Sequence, residues 1–158
     1  MKSLISQFGK DEAELAFRIL FCLIFIGLGG EHLVSDELIQ NLMPSWIPAK
    51  RVVSILCGSW LMFWGMFILL GYQLRVAAIA LGSFVILVTL LVHVPGVLME
   101  PALPADYTWM WTVLQRSNLV KNLCLLGVCF LLLYHEPGKY SVHSLLSKDT
   151  SKADSKES

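Results

Sequence analysis

The sequence predicts an all-α integral membrane protein, a four-helix bundle with both termini in the cytoplasm. Three observations carry that expectation. Of its 158 residues 56% are hydrophobic and only 15% charged, with a mean hydropathy of +0.66, far from soluble averages. Four apolar runs approach the roughly 20 residues that a helix needs to cross a hydrocarbon core. Twelve basic side chains balance twelve acidic ones, so no cationic surplus exists to hold nucleic acid, and the lipid bilayer is the expected partner.

The first run covers residues 15–34. A signal peptide would need a small-x-small cleavage site after it, where Glu31 and His32 stand instead, so the run reads as a helix. The others cover 52–72, 76–98 and 119–135, and the four-helix unit extends to residue 143. Beyond it, 144–158 is a Ser/Lys/Asp tail expected to be disordered.

Orientation follows from the cations. Lys2, Lys10, Arg18, Arg75, Lys139, Lys148 and Lys152 gather on one side, against Lys50, Arg51, Arg116 and Lys121 on the other. The positive-inside rule then places the termini and the 71–75 turn in the cytoplasm, and the 35–51 and 99–117 loops outside. Those loops carry Trp46, Tyr107, Trp109 and Trp111, aromatics suited to a membrane interface.

Heights inside the membrane follow from a rise of roughly 1.5 Å per residue. With Arg18 snorkelling to the cytoplasmic interface, Glu31 lies roughly 20 Å across. Counting back from His135 puts Lys121 at roughly 21 Å, and counting from Arg75 puts His93 at roughly 27 Å. Ionisable groups at such heights belong inside the bundle or in a wet cavity, because a lipid-facing charge costs at least about 2.5 kcal/mol. A Glu31–Lys121 ion pair, with His32 and Asn122 as hydrogen-bonding neighbours, is the expected arrangement.

On the third run Gly82, Ile86, Thr89 and His93 recur at helical spacing and are expected to share an inward face. On the second, Gly58 and Gly65 share a face suited to close helix approach. Trp60 and Trp64 are expected in inter-helix packing. Between the first two runs Pro44 and Pro48 bracket Trp46 and Ile47, so that with Met43 the segment reads either as a lid over the bundle mouth or as a rigid connector with an interfacial anchor.

Cys22, Cys57, Cys124 and Cys129 form no C-x-x-C pair and signal no metal centre; a disulfide between Cys57 and Cys124, at similar heights, stays open. A metal set of His32, His93 and Glu31 lacks i, i+4 spacing, and none is expected. No flavin or iron–sulfur motif is present, so no cofactor is evident. His143 lies beyond the membrane and has no assigned role.

The chain resembles the DoxX-type family of small four-helix membrane proteins. The resemblance rests on Gly29-Gly30-Glu31-His32, on Glu37, on Met43-Pro44-Ser45-Trp46-Ile47-Pro48-Ala49, on Gly58 and Gly65, and on Val120-Lys121-Asn122-Leu123-Cys124-Leu125-Leu126-Gly127. It spans about residues 17–134. One departure is Leu61, at the place between the two glycines where the family often carries a glutamate. The resemblance implies a bacterial inner membrane location and two roles. The leading expectation is a non-catalytic scaffold, assembly factor or partner-binding subunit. The alternative is a quinone-interacting subunit beside a membrane redox partner, with Glu31, His32, Thr89, His93, Lys121 and Asn122 as the polar network. A small-molecule carrier, as a homo-oligomer, is the third reading; no inverted repeat supports it.

Overall fold

A computed structural model of the chain describes residues 9–99 and 105–148. Among these every regular element is helical: α1 Lys10–Val34, α2 Asp36–Leu42, α3 Lys50–Leu70, α4 Leu74–Val88, a widened π turn Thr89–His93, α5 Val94–Leu98, and α6 Ala105–Leu132. Three rods, Lys10–Val34, Lys50–Leu70 and Leu74–Leu98, are long and apolar enough to cross a membrane. The fourth, α6, has 28 residues, but polar side chains interrupt its first half.

The elements outgrow the apolar runs where polar residues have a partner that hydropathy does not register. α1 begins at Lys10 rather than 15, with Asp11 and Glu12 in the first turn where acids complement the helix dipole. α6 begins at Ala105 rather than 119, so most of the expected 99–117 loop is helix. Its early turns are held against α5, where Trp111 Nε1 donates to Gly96 O at 3.0 Å. The 35–51 loop likewise contains α2. Of the tail expected to be disordered, residues 144–148 belong to a helical turn over 142–148. Ser144 N–H donates there to Ser141 Oγ at 3.2 Å, and residues 149–158 lie outside the described part.

The π turn has a local cause. Pro95 stands early in α5, where its ring would clash with the carbonyl four residues back and where it offers no N–H. Widening the turn before it absorbs the misfit, as π-bulges do. The expected inward stripe holds in part: Gly82 and Thr89 are buried and His93 half-buried, but within α4, before the π turn, Ile86 faces outward and Val85 takes the buried place.

The helices pack as two pairs, α1 on α3 and α4 on α6. Glycine makes the first seam close. A Cβ at Gly58 would lie 2.7 Å from Gly29 O, and one at Gly29 would lie 2.8 Å from Gly58 O, so neither position accepts a side chain without parting the helices. Of the glycines after Ile26, Gly29 admits α3, whereas a Cβ at Gly27 or Gly30 would meet nothing within 4 Å. The pairs meet over Phe25, Leu61, Ile68, Leu81 and Leu132. Trp60 Nε1 reaches Ala80 O on α4 at 3.3 Å while its side chain stays 45% exposed, and Trp64 packs against the core, so Trp64 takes the expected inter-helix place and Trp60 takes it only in part.

Arg18 does not snorkel. It is 0% exposed, its Nε donating to Glu14 Oε2 at 2.9 Å, its Nη1 to Leu69 O at 2.8 Å and its Nη2 to Tyr140 O. Leu69 O is one of the last carbonyls of α3, which lack a helical donor and carry the negative end of the dipole. Height counted from Arg18 still starts at the α3–α4 turn, but a buried clamp sets it rather than an interface. Nearby, Lys139 N–H donates to Asp11 Oδ1 at 3.0 Å and Tyr140 OH to Glu12 Oε1 at 3.3 Å, which brings both ends of the described chain to the same end of the bundle.

Candidate functional site

At the end opposite the Arg18 clamp the helix pairs part around a cavity of about 610 Å³. Its floor includes Phe25 of α1, Leu61 of α3, Val85 of α4 and Leu125 of α6, and Met43, Pro44, Trp46, Ile47 and Pro48 lie along its mouth. Glu31, His32, His93, Asn118, Lys121 and Asn122 supply the polar wall. Of the polar residues singled out in the sequence, Thr89 alone is not on the wall, and it touches one that is.

Most of these groups are satisfied within one helix pair. His32 Nδ1 lies 3.0 Å from Ser54 Oγ, while that hydroxyl donates to His32 O at 3.1 Å. The hydroxyl has one proton, already committed, so Nδ1–H is the donor in the first contact and Nε2 is unprotonated in the neutral ring. This stitches α1 to α3. Across α4 and α6, Asn122 Nδ2 donates to Thr89 Oγ1 at 3.0 Å and Thr89 Oγ1 donates to Val85 O at 2.6 Å. His93 Nδ1 meets Gln115 Oε1 at 2.9 Å, a donor's role because an amide oxygen only accepts.

The charged groups are disposed differently. Lys121 Nζ donates to Asn118 Oδ1 at 2.9 Å, one turn away on its own helix. The expected Glu31–Lys121 ion pair is not formed. Among the described residues nothing closes a salt bridge on Glu31. The reason is geometric: α1 is drawn to α3 and α6 to α4, so Glu31 and Lys121 face one cavity from opposite pairs. His32 and Asn122 are likewise engaged within their own pairs rather than with this couple.

Several contributors are absent from the sequence-based set. Ser54 was within reach of it, since Ser54, Gly58, Leu61, Gly65 and Ile68 continue the four-and-three spacing that marks the buried face of α3. Gln115 fell in the supposed outer loop, and Asn118 between that loop and the fourth run. Lys50, counted only for orientation, donates to Gln40 O at 3.0 Å and Met43 O at 2.8 Å at the foot of the lid. All four cysteines are free thiols, with Cys57 on the cavity wall. Among the described residues no group of three or more His, Cys, Asp or Glu could hold a metal ion.

Residues 13–94 match the family model described as DoxX. No curated protein and no solved structure matches the chain. The matched region holds both partners of the glycine seam, the lid and the α1, α3 and α4 walls of the cavity, and ends at the π turn, whereas the sequence resemblance runs on through the α6 wall. Within it, the family glutamate expected between Gly58 and Gly65 is replaced by Leu61, which is buried and makes the cavity floor apolar.

Proposed function

The chain belongs to the DoxX family of integral membrane proteins, and from that premise we propose that it is a non-catalytic membrane subunit whose cavity holds an amphipathic ring molecule of the quinone class. The observation that carries this reading is the division of polar groups. His32, Thr89, His93 and Asn122 are engaged in stitching helices, while Glu31 and Lys121 confront each other across an apolar cavity without pairing. A volume of about 610 Å³ lies within the range of small-molecule sites.

The residues present fit such a head group. Lys121 and Asn118 offer N–H donors for ring carbonyls, Glu31 offers an acceptor and a proton-carrying group, and Phe25, Leu61 and Leu125 offer an apolar bed. A bound quinone supplies a carrier of two electrons and two protons; the chain's part is to bind it, orient it and hold a proton at Glu31. Passage through the bundle is not supported, because the core and the Arg18 clamp fill the end beneath the cavity. In this reading α6 is the fourth crossing and both termini face the cytoplasm of a bacterial inner membrane, with the meeting of chain ends around Arg18 in support.

The test is direct. Protein purified from native membranes should release quinone on solvent extraction, and a decyl-tailed benzoquinone should quench its tryptophan fluorescence saturably. Absence of both would overturn the reading and leave the scaffold role.

A further inference from the structure

The cavity has two ways out, and the structure treats them differently. Toward the water the 43–48 segment lies over the mouth. Lys50 reaches back to it, its ammonium donating to Met43 O and to Gln40 O, which also accepts from Met43 N–H, at the C-terminal end of α2 where a cation is favoured. Ala49, immediately before Lys50, has φ 45° and ψ 50°, a left-handed conformation that a residue with a Cβ adopts only at a cost. That turn ends the lid and starts α3 in two residues. Pro44 and Pro48 remove backbone freedom between the latch points.

Sideways the wall is open. Leu87 and Leu91, one turn apart on the outer flank of α4 and its π turn, both line the cavity, yet they are 58% and 42% exposed on the surface that meets lipid. Trp46 on the lid also lines the cavity and is 60% exposed, but its segment is tied down by the two Lys50 hydrogen bonds, and it is this tie that separates the mouth from the flank at Leu87 and Leu91.

We propose that Lys50 latches the lid shut on the water side, and that the cavity is filled from the bilayer through the slot at Leu87 and Leu91, so that its occupant is a lipid-dissolved molecule with a tail. The inference rests on the proposed binding role and adds to it the route and the residue that enforces it.

The thiol of Cys57 reports on both exits. In a Cys124→Ser background Cys57 is the one thiol within reach of reagent, since Cys22 and Cys129 are buried. Full-length protein in phosphatidylcholine nanodiscs, which leave both faces open, is treated with neutral methyl methanethiosulfonate or with its charged trimethylammonium-ethyl analogue. The neutral reagent is expected to modify Cys57, and the charged one at least about tenfold more slowly. Lys50→Met should speed the charged reagent about tenfold, as the loss of two charge-assisted hydrogen bonds allows, with the neutral rate unchanged. Lys50→Arg should keep the mouth closed, and Leu87→Trp with Leu91→Trp should slow the neutral reagent. Equal rates for both reagents on the unaltered lid, or no response to Lys50→Met, would overturn the proposal. Should Lys50→Met fail to fold, Trp46→Ala trims the lid and carries the same expectation. None of these rates needs an occupant. Protection of Cys57 by the decyl-tailed benzoquinone, but not by its tail-less ring, tests the occupant itself, and failure to protect at all with the latch behaving as stated would count against the binding role alone.

Discussion

Arg18 and Lys121 are both carried on long helices at the two ends of one bundle, and their surroundings differ in every respect. Arg18 is fully enclosed, its guanidinium spread over a carboxylate on its own helix and carbonyls at the end of α3 and in the C-terminal segment. Lys121 has a single hydrogen bond to the neighbouring turn and is turned to a cavity. A planar fork of donors suits the first place, where several fixed acceptors converge; a compact ammonium on a flexible stem suits the second, where the acceptor arrives from outside. The contrast separates the part of the molecule that holds the fold from the part left free to bind.

The sharpest way to break the comparison is at Arg18. Arg18→Met should destabilise the protein by about 3–5 kcal/mol, because it abandons the buried Glu14 carboxylate and the carbonyls of Leu69 and Tyr140. Its remaining neighbour, His135, lies with Nε2 at 3.5 Å from Glu14 Oε1 and is a poor substitute. Arg18→Lys should recover only part of the loss, since one ammonium cannot serve divergent acceptors. Thermal unfolding in detergent followed by circular dichroism measures both. If Arg18→Met unfolds within a few degrees of the unaltered protein, the clamp is not what holds the ends together.

A smaller effect is expected at the seam between α1 and α3. Gly58→Ala brings a Cβ to 2.7 Å from Gly29 O and 2.8 Å from His32 Cβ, so the helices must part at a cost of about 1–3 kcal/mol. The shift would also pull His32 from Ser54 and reshape the cavity wall, so loss of benzoquinone quenching should accompany the lower melting temperature. Gly27→Ala, whose Cβ meets nothing within 4 Å, is the control and should change stability by less than about 0.5 kcal/mol.

How much of this was legible beforehand depends on the kind of signal. Three apolar rods and the shared face of Gly58 and Gly65 follow from composition and period, and both appear in the structure. The first half of α6 was not legible: Trp111 is spent on Gly96 and Gln115 on His93 while Asp106, Arg116 and Ser117 stay exposed, and hydropathy has no term for a polar residue with a helical neighbour. Arg18 was misread because a snorkelling and a clamped arginine look the same in sequence when the acceptors lie 51 and 122 residues away. Counting heights ranks residues along the membrane normal but leaves their direction around each helix undetermined. It sets Glu31 and Lys121 level; whether they touch depends on which helices pair, and that was decided by glycines meeting across α1 and α3.

The smallest expected effect on stability is the most informative. Lys121→Met removes one hydrogen bond within a membrane helix, worth about 0.6 kcal/mol on average, and relieves a half-buried ammonium of its desolvation, so the melting temperature should stay nearly constant. Glu31→Gln should be equally mild, and the double variant should show coupling below about 0.5 kcal/mol, as expected of groups that do not pair. Binding should respond quite otherwise, with each single variant weakening the decyl-tailed benzoquinone about tenfold, the loss of one charge-assisted contact. If Lys121→Met instead costs stability on the scale of Arg18→Met, the two cations play the same part, the cavity wall is a structural clasp, and the binding role loses the observation that carries it.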